Sequence, residues 1–178
     1  MLDTLVKLTE TLTHLLKYRA ERTARTFDEL VKPFFDDLKK IHQDYLGMLE
    51  KARSELKSDM PVGRIAMNLR ERRLAEEPLR RSIAEQISVL VDSPSLKSYR
   101  QYFQAIMRYF DQSPFGGFSS PTTIVLRLID AAAMAKVDDD SENRRRLLSV
   151  IEDILDEMRQ HWILVSKEYA ELLGAKRN

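Results

Sequence analysis

The chain has 178 residues, of which 43% are hydrophobic and 32% charged, with only five glycines and no cysteine. That length can enclose one sizeable core, so a single domain over residues 1–178 is expected; 29 basic against 28 acidic side chains leave a net charge of +1, and no whole-chain attraction to a polyanion or a membrane surface. The missing cysteines exclude a disulfide framework, thiolate catalysis and cysteine-ligated zinc, and agree with a reducing compartment, the cytoplasm by default.

Few glycines and no recurrent alternation of β-branched residues indicate an all-α chain. A first helix is predicted from about Asp3 to Arg25, with Leu5, Leu8, Leu12, Leu15 and Leu16 in one apolar stripe. After Tyr18 the apolar residues shrink to Ala20 and Ala24 among arginines, and the stripe fades or rotates before Phe27. Pro33 then either opens a new helix or kinks a long N-terminal one, because proline lacks an amide donor and clashes with the preceding turn. From there to Leu56 two seams overlap, Phe34-Leu38-Ile41-Tyr45-Met48-Ala52 and Phe35-Leu38-His42-Tyr45-Leu49-Ala52-Leu56. Together they cover about 140° of the helix, a width that needs two neighbouring helices.

Ser58-Asp59-Met60-Pro61 supplies a cap and an early proline for a third helix through Ile65, Leu69, Leu79, Ile83, Ile87 and Leu90, interrupted at Pro78, with a kink or restart expected near Glu77. Ser93-Pro94 opens a fourth to about Asp111, with Leu96, Tyr99, Phe103, Ile106 and Phe110 as its seam. Ser120-Pro121 opens a fifth, carrying Val125, Leu128, Ala132 and Ala135. The sixth holds the most regular seam: Leu148, Ile151, Leu155, Met158, Trp162, Val165, Tyr169 and Leu172 alternate at spacings of three and four, and Gly174 is placed to cap an end near Leu173. The expected fold is an antiparallel bundle of five or six helices. Met1 to Thr4 shows no basic signal-peptide start, and the longest apolar stretch, Ile124 to Val137, is broken by Arg127, Asp130 and Lys136, so no membrane span is expected.

Chemistry is sparse. Imidazole is the commonest nitrogen ligand, yet no Glu-x-x-His or His-x-x-x-His occurs around His14, His42 and His161. Glu10 with His14 and Glu157 with His161 remain as i,i+4 pairs, but His14 points away from the leucine stripe, and solvent-facing or core-flanking histidines are the simpler reading. No Gly-x-Ser-x-Gly or P-loop is present, so neither catalytic residue, nor metal site, nor cofactor is assigned.

Arg64 to Arg81 holds six arginines against Glu71, Glu76 and Glu77. Guanidinium forks suit phosphate, so Arg70, Arg72, Arg73, Arg80 and Arg81 form a candidate nucleic-acid face; i,i+4 pairing with the glutamates would neutralise much of it. Arg144-Arg145-Arg146 follows Asp138-Asp139-Asp140, with which it is expected to pair. Half of the fourteen aromatics lie between Tyr99 and Phe118. Phe103 and Phe110 fit the core seam, whereas Tyr102 and Tyr109 are read as a second stripe at its edge beside Arg108, and Phe115 and Phe118 as an exposed docking loop around Gly116-Gly117.

These features point first to a non-catalytic protein-interaction or adaptor module, self-associating as a homodimer or holding a protein partner through Tyr102, Tyr109, Phe115 and Phe118. A nucleic-acid-binding helical protein using Arg64 to Arg81 is the alternative, and a metal or small-molecule bundle enzyme the third reading.

Overall fold

The structure is a computed structural model that describes residues 2–17, 27–58, 60–112 and 140–177. It is all-α, with no strand among the described residues. Helix α1 spans Leu2–Lys17, and a π-helical turn at Phe27–Val31 runs directly into α2, Lys32–Leu56. Pro33 sits in the first turn of α2, where its missing amide has no intrahelical partner to lose. The predicted fifth helix, Val125 to Ala135, lies outside the described residues.

Helix α3 runs unbroken over Val62–Val91, with Pro78 inside it, so the expected restart near Glu77 does not occur. Pro78 is exposed, and so is Leu74, whose carbonyl it leaves without an i+4 amide; water can satisfy a carbonyl on that side. Ser93-Pro94 opens a 3₁₀ segment, Pro94–Tyr99, in which Leu96 departs from helical geometry, and α4 follows as Arg100–Gln112. The last helix, α5, extends over Asp140–Arg177, past the expected end. Gly174 is therefore an interior residue of α5 and not its cap.

Helix α1 packs on α2 and α3, α3 on α4, α4 on α5 and α5 on α2, which closes a circuit of five helices around one core. The α2 seams are buried as their spacing requires: Phe34, Leu38, Ile41, His42, Tyr45, Leu49, Ala52 and Leu56 all face inward. Helix α5 runs antiparallel to α2, because Arg144 near its start reaches the carbonyl of Leu56 while Tyr169 near its end stacks on Phe35 at 3.8 Å. Phe35 also stacks on Trp162 at 5.5 Å, and Trp162 on His42 at 4.5 Å, so aromatic faces form the seam between these two helices.

Candidate functional site

Two clusters of polar side chains lie inside the helical circuit. The first begins at His42 of α2, which is 5% exposed. Its ring stacks on Trp162 of α5, and its Nδ1 lies 3.0 Å from the hydroxyl of Tyr109 on α4. Burial pulls the imidazole down to about 4, with the charge of Arg159 acting in the same direction, so the ring is neutral at pH 7. One neutral imidazole thus joins three helices.

Tyr109 and Tyr102 are core residues, each 1% exposed, which corrects their expected place at an exposed edge. The reason is that α4 is enclosed by α3 on one side and α5 on another, while Phe103 meets Phe34 of α2; an aromatic stripe beside the seam is then buried as well. Tyr102 packs against Phe103 and Tyr169. Its hydroxyl is buried with no hydrogen-bond partner among the described residues, and burial raises its pKa. Phe115 and Phe118 lie outside the described residues.

The second cluster belongs to α3, where Arg72, Glu76 and Arg80, four residues apart, share one face and are directed between α2 and α4. Arg72 donates to Glu76 at 3.0 Å and reaches Asp44 of α2. Arg80, 3% exposed, donates from Nη2 to the carbonyl of Phe110 at 2.9 Å, near the C-terminal end of α4. Through this bond Arg80 of α3 holds the last described turn of α4. Glu76 is 2% exposed; burial raises its pKa, while the Arg72 hydrogen bond and the Arg80 charge pull it down. The Tyr45 hydroxyl is coupled to this carboxylate, and burial raises its own pKa.

This placement turns Arg80, and in part Arg72, away from the expected phosphate-binding face. Arg80 is buried and Arg72 is held between two carboxylates, Arg81 pairs with Glu77 at 3.2 Å, and only Arg64 and Arg70 of the interval are exposed with no ion pair among the described residues. The side chain of Arg73 lies outside those described. The acidic run with which Arg144 is expected to pair, Asp138-Asp139-Asp140, lies outside the described side chains, and Arg144 also bonds to the backbone. It donates to the carbonyls of Leu56, Ser58 and Met60 at 2.8, 2.5 and 3.0 Å, across the α2–α3 connection. Its neighbour Arg146 pairs with Glu142, one turn away.

The remaining histidines stay apart. His14 and Glu10 of α1 line an open groove with Asp37 and Leu79, whereas His161 lies on α5. Burial lowers the His161 pKa, with Glu157 opposing and Arg108 reinforcing the shift, and its Nδ1 has no hydrogen-bond partner among the described residues. No group of three or more histidine, aspartate or glutamate side chains is gathered for a metal ion among the described residues. Nor is any helix among them long and apolar enough to cross a membrane.

The surface carries exposed apolar side chains that leave only a faint trace in the sequence. Met67 and Leu74, seven residues apart on α3, are 61% and 59% exposed, and Ile163 and Leu164 on α5 are 64% and 42% exposed. The 3–4 spacing of Ile65, Leu69, Ile83 and Leu90 drew attention to the buried side of α3. The seven-residue interval from Met67 to Leu74 was the signal for the other.

The fold and its interior define an all-α protein whose buried polar side chains tie helices together and whose exposed large apolar side chains lie on α1, α3 and α5. Comparison of the chain with protein-family models, with curated proteins and with solved structures finds no match.

Proposed function

We propose that this chain is a non-catalytic protein-interaction module of adaptor type, which holds a partner helix on the outer face of α3. The observation that carries the reading is the pair Met67 and Leu74: two large apolar side chains, more than half exposed and seven residues apart, on a helix whose other sides pack on α1, α2 and α4. Residues at that interval fall on one side of a helix, which is how a second helix is recognised. The polar groups that could do chemistry, His42, Glu76 and Arg80, serve instead as links between helices. The nucleic-acid reading is weaker because Arg72 and Arg80 are turned inward, leaving too short a basic stripe to release many counterions.

The test is capture by the tagged full-length chain from lysate of its source cells, with and without nuclease, beside a Met67→Asp/Leu74→Asp variant of unchanged helicity. A nuclease-resistant, stoichiometric protein that disappears with the double substitution is the expected result. Capture indifferent to Met67 and Leu74, or recovery of nucleic acid that vanishes on Arg64→Glu/Arg70→Glu, overturns the reading.

A further inference from the structure

The outer face of α3 is complementary to itself. Met67 and Leu74 lie on an exposed stripe, flanked by Arg64, Arg70 and Glu71, which are exposed and have no ion pair among the described residues. Arg64 precedes Met67 by three residues and Glu71 follows it by four, so both lie on one edge of the stripe with Met67 between them, and Arg70 lies on the other edge. One edge therefore carries a positive and a negative charge two helical turns apart.

Two copies of such a helix packed antiparallel about a two-fold axis set each edge against the same edge of the other copy. With Arg64 of one copy opposite Glu71 of the second, the symmetry makes the reciprocal pair as well. The same register brings Met67 within one residue of Met67 of the second copy and sets Leu74 opposite its Pro61. All five of these residues are exposed, and neither charge is held by another ion pair among the described residues. Arg70, on the other edge, comes within two residues of Gly63 of the second copy, where no side chain stands and the space around the backbone is open.

We infer that the α3 face docks on α3 of a second copy of this chain, as an antiparallel, two-fold pair. The inference rests on the reading of α3 as the docking face and goes further by naming its partner. The overlap from Pro61 to Leu74 is about four turns, less than a permanent dimer buries, so the association is reversible and closes at two copies.

Sedimentation velocity on the purified full-length chain tests this. The wild type is expected to pass from monomer to dimer with rising concentration, and less so at high salt, since exposed charge pairs are screened. Arg64→Glu and Glu71→Arg each set like charges together twice and should weaken the dimer roughly tenfold or more. Arg64→Glu/Glu71→Arg in one chain should restore it, and so should a mixture of the two single variants. Circular dichroism checks that each variant is folded. A cross-link reads the register without altering charge: the chain has no cysteine, so Met67→Cys should give a disulfide-linked dimer on mild oxidation and Leu74→Cys should not. A wild type that stays monomeric at every concentration, a double reversal that regains nothing, or a Met67→Cys chain that does not link overturns self-docking. If capture of a different protein still depends on Met67 and Leu74, the α3 reading survives; if that dependence is lost too, both fall.

Discussion

His42 and Trp162 stack with ring centroids 4.5 Å apart and planes 9° from parallel, in a pocket closed by Tyr109. The folded chain holds this imidazole at about 4 against an ordinary value of 6.5, so the unfolded chain binds the proton more readily. Stability from this group is complete above about pH 6.5 and declines as pH falls toward about 4. Glu76, whose pKa is raised, contributes in the opposite sense, so the His42 share is the difference between wild type and His42→Phe. Melting temperatures should fall on acidification more steeply for the wild type than for His42→Phe. Parallel curves would show that His42 is not the group that titrates.

Tyr102 and Tyr109 are equally buried yet differ in what removal of the hydroxyl does. Tyr109 shares a hydrogen bond with His42, and Tyr109→Phe is expected to cost about 1 kcal/mol. The Tyr102 hydroxyl has no hydrogen-bond partner among the described residues, so Tyr102→Phe should be neutral or stabilise by up to about 1 kcal/mol. Urea unfolding of both variants decides the point. Equal losses would mean that Tyr102 is hydrogen-bonded after all.

Arg80 and Glu76 form part of one buried network, in which removing one charge strands another. Arg80→Met leaves the Phe110 carbonyl without its guanidinium donor and Glu76 with one fewer cation, and should cost on the order of 3–5 kcal/mol. Adding Glu76→Gln should recover part of that loss, since the carboxylate no longer needs compensation. A double-mutant cycle from equilibrium unfolding measures the coupling, and strict additivity would refute the network.

The buried side of the fold was readable because packing leaves a period in the sequence. Phe34, Leu38, Ile41 and Tyr45 on α2, and Ile151, Leu155, Met158 and Val165 on α5, are core residues as their 3–4 spacing requires. The inward arginines were not readable by the same rule, which assigns long charged side chains to solvent. Arg72, Glu76 and Arg80 recur at helical spacing, but only the approach of Tyr45 and the end of α4 converts that pattern into a buried network. Tyr102 and Tyr109 were misplaced for a related reason: a second stripe on a helix is an exposed edge when the helix has one neighbour and core when it has three. The local chemistry of Pro78 predicts a break, whereas the exposure of Leu74 and Pro78 lets α3 continue.

Arg144 offers the clearest case of a long-range contact with no sequence signature. Its guanidinium donates to the carbonyls of Leu56, Ser58 and Met60, at the end of α2 and in the turn that leads to α3. Helix ends and turns leave carbonyls without donors, and a planar fork with several N–H groups can serve three at once. Arg144→Ala should destabilise the chain by about 2 kcal/mol, and Arg144→Lys by about half as much, because an ammonium keeps the charge but not the fork. Hydrogen exchange should quicken first at the amides of the α2 C-terminus and of the α5 start, where the contact holds two antiparallel helices in register. Unchanged exchange there, with an unfolding midpoint equal to that of the wild type, would place Arg144 among ordinary surface arginines.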